Sequence, residues 1–407
     1  MKNKIYGWLA FLLIIASITV GATDLAWTLD NNVTIDIKTK EIISSSNWKL
    51  KYQSELGNLG QGIIEFNGLY QNKSPQVIIN LQQAVMKFYL GKLELNSGYG
   101  YTAWGTADGV NPTDVINPIK LGTSLNSWEK EPVFSTRATY YGQNLTMTGV
   151  LVHDFVPVNL QALAEVVPEF AVLNLKKPES KLKDQELALQ METTVAGFDL
   201  KASYFNGYDD WPEIAYTFLV NPVNGQPVSG SEGFVGRYRK QQQFGLAGAG
   251  TIGSSGVWIE GAYVLPSVEP FSSDNPLRQF LNISPDKAYL QIVAGTDYTF
   301  FRKLYSSIQY LYLGNGSFMF PYREPQQELK PIHGLLTRFS YSLSAEVSAE
   351  ANVLFDLRHG SALYMPELIY KPFENGSLKI GLILPKGDKG ELSKSPTQLR
   401  LGILGTF

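Results

Sequence analysis

Long and short connections alternate between strand-length segments along most of this chain, and that alternation restricts the fold more than any single motif. Reading back from Phe407, long stretches fall at 386–394, 315–331, 266–286, 207–233, 154–183 and 105–132. Between them lie short reversals at 373–376, 343–345, 301–303, 253–256, 196–197, 142–144 and at Gly91. Shorter connections complete the set at 358–360, 71–75, 57–60 and 40–45. If each reversal ends one strand, every connection longer than about 12 residues lands on the same side. A soluble sandwich has no reason to sort its loops by side. A barrel of the outer-membrane type does so, with short turns at one end and long loops at the other. The expected fold is therefore all-β: a transmembrane antiparallel β-barrel of about 18 strands, or about 16 if the first pair is not a hairpin, with an inward-folded loop.

The last strand carries the matching face pattern. Leu399, Leu401, Ile403, Gly405 and Phe407 share one face, and Gln398, Arg400, Gly402, Leu404 and Thr406 share the other. Lipid leaves no backbone polar group unpaired, so a sheet crosses a bilayer only as a closed ring. The final strand is expected to pair with the first, with Phe407 in the aromatic girdle at the periplasmic interface. The expected partners are outer-membrane lipid, small solutes, and a barrel assembly machinery that recognises the C-terminal strand ending at Phe407. An exterior that is apolar everywhere suits a monomer and a homo-oligomer alike.

The other end reads as a leader. Residues 1–4 are basic, 5–21 form an apolar run, and Val20-Gly21-Ala22 supplies small residues before a cut. This is the pattern of a secretory signal peptide over 1–22, which leaves a single outer-membrane barrel over 23–407. About ten residues separate Thr23 from the first expected strand, too few for a plug domain. The absence of cysteine excludes disulfides and thiol-linked lipid, and suits a chain that crosses an oxidising compartment unfolded. A mean hydropathy of −0.08 with 44% apolar residues is too polar for a helical bundle but suits strands with one lipid face and one wet face. The formal net charge of −3 argues against nucleic-acid binding, which needs a basic surface.

The alternation assigns charges to inner faces. Lys87, Arg137, Arg237, Arg239, Arg338, Arg358, Lys379 and Arg400 fall there, as do Glu186, Glu192, Glu260, Asp297, Glu346, Glu350 and Glu367. Toward lipid, Arg or Lys costs about 2–4 kcal/mol near the midplane, so these groups should face water or one another. Charges on a pore wall set ion preference, and charges paired across the lumen brace it. The mixture implies a pore of weak charge selectivity.

The densest local signal runs from Trp104 to Pro118. Asn111-Pro112 with Asp114 two residues on is a helix-start pattern, which Asn117-Pro118 would end after one or two turns. Gly105 and Gly109 permit sharp reversals. The connection 105–132 is thus expected to be a compact segment that folds inward and narrows the channel. Strand residues such as Arg137 would support it, and Asp108 and Asp114 would face basic wall groups. A space-filling plug is the structural alternative. The candidate constriction residues are Trp104, Asp108, Asn111, Asp114, Asn117, Lys120, Arg137, Arg237, Arg239, Glu260, Arg338 and Glu350. The stretch resembles the W-G-x-A-D-G-x-N-P-x-D-x-x-N-P motif of a family of outer-membrane barrels akin to alginate-export and other substrate-specific porins. It matches at Trp104, Gly105, Ala107, Asp108, Gly109, Asn111, Pro112, Asp114, Asn117 and Pro118, with Ile119 standing before Lys120 where the family has a basic residue. The resemblance implies a barrel and solute passage.

No enzyme signature accompanies this pattern. His153, His333 and His359 are isolated at strand or loop edges. Metal-ligand spacings, a Walker loop and a Gly-x-Ser-x-Gly elbow do not occur, and no cofactor is expected. The leading expectation is a passive porin. A channel for hydrophobic solutes is the alternative, with Trp104, Trp128, Trp211 and the 318–322 loop as an aromatic entry patch. A structural or adhesive barrel that acts through its loops is the third reading.

Overall fold

A computed structural model of the protein describes residues 23–121, 129–160, 175, 177–179, 181–318, 321–322 and 330–407. The expected signal peptide, Trp128 and part of the 318–322 loop lie outside these residues. The segments that alternate in polarity form strands: β1 (Thr23–Asp36), β2 (Ile42–Glu55), β3 (Gly60–Gln71), β4 (Ser74–Leu90), β5 (Leu93–Gly100), β6 (Val133–Tyr141) and β7 (Thr146–Val152). They continue as β8 (Glu186–Val195), β9 (Phe198–Tyr208), β10 (Glu213–Leu219), β11 (Gly233–Arg237), β12 (Lys240–Ile252), β13 (Ser255–Pro266) and β14 (Arg278–Asn282). The last seven are β15 (Tyr289–Phe300), β16 (Leu304–Leu313), β17 (Ile332–Ser342), β18 (Val347–Asp356), β19 (Ser361–Phe373), β20 (Gly376–Lys386) and β21 (Gln398–Thr406).

All but β10, β11 and β14 join one 18-stranded antiparallel sheet, the count expected from the connections. The sheet closes because β1 pairs with β2 on one edge and β21 on the other, in register from Thr28↔Thr406 to Asp36↔Gln398. The closure is tied off by Trp27 and Phe407, whose backbones exchange two hydrogen bonds of 2.8 Å and whose rings stack at 4.2 Å. No edge is left to expose unpaired amides, which is the condition for a sheet in hydrocarbon. β1 begins at Thr23 itself, earlier than the sequence reading placed the first strand. Leu25, Trp27 and Leu29 already alternate outward there, on the same face as Leu50 and Tyr52 of β2.

The outer face is apolar. Leu246 of β12 is 70% exposed, Ile259 of β13 58% and Ile403 of β21 57%, exposures that a soluble surface would not tolerate in rows and a bilayer requires. The inner face is less uniformly polar than expected. Val293, Leu311, Leu313, Ile332, Leu354, Leu363, Met365 and Ile383 form one buried cluster capped by Phe318 and Leu392 from two long connections. Connections folded over the wall keep that stretch dry, so it packs as a core.

The long-loop end carries a small sheet of β10, β11 and β14. This changes the placement of two residues expected on the wall. Arg237 lies in β11 and Arg239 between β11 and β12, and both converge on Glu213 of β10, whose side chain is fully buried. Arg237 Nε donates to Glu213 at 2.9 Å and Asn282 donates to the same carboxylate at 3.0 Å. Arg239 reaches Asp209 at 3.5 Å. Long side chains here brace the mouth. Arg358 and Glu346 are likewise off the wall: Arg358 donates to the Lys330 carbonyl from the β18–β19 turn, and Glu346 accepts from Ser344 within the β17–β18 turn.

Candidate functional site

The connection after β5, described over 101–121 and 129–132, enters the lumen. The helix expected near Pro112 does not form. Asn111 and Asp114 make tight turns instead, with Asp114 N–H donating to the Asn111 carbonyl at 3.1 Å and Val115 N–H to the Thr113 carbonyl at 3.1 Å. The side chains of Asp114 and Asn117 bond across the loop, Asp114 accepting from Trp104 N–H at 3.3 Å. Asn117, only 2% exposed, ties both legs together. Its Oδ1 accepts from Thr102 N–H at 2.8 Å, and its Nδ2 donates to the Gly100 and Glu131 carbonyls at 3.2 and 2.8 Å. Lys130 adds a second staple, donating to the Asp114 and Asn117 carbonyls at 2.9 and 3.1 Å and lying 3.5 Å from the Asp114 carboxylate. Lys120 pairs with Glu129 at 3.7 Å on the same loop. Asp114 therefore meets a basic group of its own loop, where the sequence suggested one from the wall.

Glu260 of β13 holds the tip of this loop. The residue is fully buried. One carboxylate oxygen accepts from Thr106 N–H at 2.7 Å, Ala107 N–H at 3.2 Å and the Thr106 hydroxyl at 3.4 Å. The other accepts from Thr113 N–H and the Thr113 hydroxyl, both at 2.8 Å. A buried carboxylate is stable only when its lone pairs are taken up in this way. Close approach needs a glycine at 105, where φ is +98° and a Cβ would sit 2.9 Å from a Glu260 oxygen. The wall makes room too: a Cβ at Gly245 of β12 would meet Thr113 at 2.7 Å. Asn111 lies against Gly105 in this packing.

Further wall contacts extend the docking. Gln309 of β16 donates to the Asp108 carbonyl at 3.0 Å and accepts from Asp108 N–H at 3.2 Å. Gln243 of β12 donates to the Pro112 carbonyl at 3.0 Å, and Lys201 of β9 to the Gly105 carbonyl at 3.4 Å. Trp104 and Ile116 bury against Val133, Val150, Val152, Ala188 and Phe205 on one side. Ala107 and Val110 pack on the apolar cluster of β15 to β20 on the other. The loop is thus seated along the wall from β6 to β16.

The sector it leaves open faces β2, β3 and β4. There a cavity of ≈ 330 Å³ lies between the loop's Tyr101, Thr102, Ala103, Asp114, Asn117, Glu129 and Lys130 and the wall's Lys49, Glu65, Asn67 and Gln82. Every lining residue except Ala103 carries a polar side-chain group. Burial pushes the Asp114 carboxyl above the ordinary range, against the pull of Lys130. Burial raises Glu131 as well, with Lys120 opposing and Glu129 assisting.

The remaining candidates stand elsewhere. Arg137 is on the inner face but pairs with Glu94 at 3.4 Å, and Glu260 carries the support once expected of it. Arg338 and Glu350 form a 3.9 Å pair on β17 and β18. Lys49, Glu65, Asn67 and Gln82 were missed, because inward alternation alone does not say which wall sector a loop leaves open. Of the aromatics proposed as an entry patch, the described tryptophans are spent internally: Trp104 in the loop's seat, and Trp211 edge-to-face with Tyr322 at 5.9 Å. The histidines sit at the long-loop rim. His153 bonds to Thr136 at 2.9 Å, His333 to Tyr310 at 2.6 Å and His359 to Asp356 at 2.6 Å.

No family model and no curated protein matches this chain. Solved structures do share its fold. OccK5 (OpdH) of Pseudomonas aeruginosa superposes with a TM-score of 0.55 at 11% identity, covering 95% of this chain and 99% of that one. OccD3 (OpdP) of the same organism gives 0.54 at 11% identity over 95% and 92%. OccAB4 of Acinetobacter baumannii gives 0.54 at 10% identity over 96% and 99%. At these identities the likeness is one of fold, and it spans the full wall.

Proposed function

We propose that this barrel, an integral protein of the bacterial outer membrane, lets small polar solutes diffuse passively through a water-filled lumen narrowed by the 105–132 connection. One observation carries the reading. The loop is anchored inside the wall on a buried carboxylate, and the passage beside it is lined by polar groups. An adhesive barrel would have no use for a loop held within its own lumen. A hydrophobic-solute channel would need an aromatic entry patch, and the described tryptophans expected to form it, Trp104 and Trp211, pack against other side chains instead.

Planar-bilayer recording of the refolded protein is the direct test. Ohmic steps are expected, and deletion of 104–118 should enlarge them. Absence of ohmic steps in both proteins would sink the channel reading.

The passage should also respond to pH. Because burial raises Asp114 and Glu131, both take up protons while freely exposed carboxylates are still ionised. Acidification from neutrality toward the ordinary carboxylate range removes these two negative charges first, and cation preference falls. Reversal potentials in a KCl gradient at stepped pH would show the drop. A preference that holds steady until the ordinary carboxylate range is reached contradicts it.

A further inference from the structure

We infer that an irregularity in β4 builds a site for a small zwitterion, a solute bearing one carboxylate and one ammonium group, in the open sector of the constriction. The inference rests on the channel reading and adds the class of solute that the passage favours. β3 and β4 keep a one-to-one register from Gly60↔Phe88 to Glu65↔Gln83, and then Phe66 pairs with Leu81. Gln82 is the extra residue. Such a bulge re-aims a side chain out of the alternation, and here it turns Gln82 into the lumen beside Gln83. Gln82 is 7% exposed, and its Oε1 accepts from the Tyr101 hydroxyl at 2.5 Å, which fixes the loop edge against the wall. Among the described residues its amide N–H groups have no partner, nor has the amide of Asn67 next to it.

Elsewhere on the wall Arg137 is spent on Glu94, Lys201 on Glu192 and Arg338 on Glu350. On the loop side of this sector Lys130 is spent on Asp114. Lys49 and Glu65 have no hydrogen-bond or ion-pair partner among the described residues. Lys51 lies opposite Glu65 in register without pairing with it, and Lys49 lies opposite Asn67. Lys49 and Glu65 are therefore diagonal neighbours on adjacent strands, a spacing of roughly 7–8 Å between backbones. A singly charged solute gains one of the two and is repelled by the other. A neutral solute that displaces water leaves both poorly solvated. A dipolar solute satisfies both at once, with its carboxylate toward Lys49, its ammonium toward Glu65, and the amides of Asn67 and Gln82 along its length. The ≈ 330 Å³ cavity suits a solute of amino-acid size.

Flux into vesicles of three probes matched in length, β-alanine, propionate and propylammonium, tests this. With the native protein, β-alanine should enter about five-fold faster than either ion, a preference near 1 kcal/mol. Lys49→Met and Glu65→Gln should each abolish that preference while heat-modifiable gel mobility stays native, which reports an intact barrel. The double exchange Lys49→Glu with Glu65→Lys should restore it, because the site then takes the solute reversed. Equal entry of the three probes in a conducting native channel, or no recovery in the double exchange, overturns the zwitterion site alone. A native protein that conducts neither KCl nor probes overturns the channel reading beneath it.

Discussion

Glu260→Ala is expected to raise open-channel conductance on the order of two-fold, with Glu260→Gln between it and the native protein. The carboxylate takes three loop amides and two loop hydroxyls at 2.7–3.4 Å. Hydrogen bonds to a charged group contribute about 1.5–3 kcal/mol each, and a buried amide left unpaired costs about 1–3 kcal/mol. Truncation therefore leaves Thr106, Ala107 and Thr113 with unsatisfied N–H groups in a dry seat, and the loop tip regains partners only by moving into water. Glutamine keeps an acceptor but turns an amide N–H toward groups that are themselves donors, so part of the docking survives. The wall itself should be untouched, since Glu260 keeps its backbone pairing to Ala247 and Val293. Single-channel recording of the two variants, with heat-modifiable gel mobility as the folding check, measures both. Native conductance in a folded Glu260→Ala channel would show that the tip does not depend on this residue.

A charge on the outer face should be the most damaging single change to the wall. Leu246→Arg places a guanidinium at the middle of β12, where the native side chain is 70% exposed. It should destabilise the barrel by about 2–4 kcal/mol in vesicles. Ser340→Arg, on the inner face of β17 opposite Glu350, should be close to neutral, since water and a carboxylate receive the charge. Urea titration of tryptophan fluorescence after refolding into vesicles compares the two. Equal losses would mean that the faces are assigned wrongly.

The wall was legible in the sequence because its rules are local. Leu399, Leu401 and Ile403 alternate with Arg400 and Gly402, and Asn375-Gly376 marks a two-residue turn. Repetition of such signals along the chain gave the strand count. The first strand was placed about ten residues late; Asp30, Asn31 and Asn32 add a polar run to an alternation that their neighbours continue. The loop's internal geometry was half legible. Asn111 was read as a helix cap, Asp114 as a first-turn acid and Asn117-Pro118 as the stop, but helix ends and cross-loop bonding use the same short polar side chains, and only the fold decides between them. The anchor was legible as a charge and not as an anchor: Glu260 meets Thr106 from 154 residues away, a separation over which alternation says nothing. Lys49 and Glu65 were invisible for the same reason, being two inward charges among many until the loop's path left their sector open.

The joint between Trp27 and Phe407 has a consequence for how the molecule comes into being. A ring whose last stave pairs with its first offers no stable halfway object in lipid, because every incomplete version exposes two unpaired edges to hydrocarbon. The contact that ends this exposure spans nearly the whole described chain, the costliest separation to close by diffusion and the one no earlier hairpin can replace. The seam is therefore a pairing that only a chain with its last strand can make. The two aromatic rings finish that seam at its end, beyond the nine residue pairs that β1 and β21 already share.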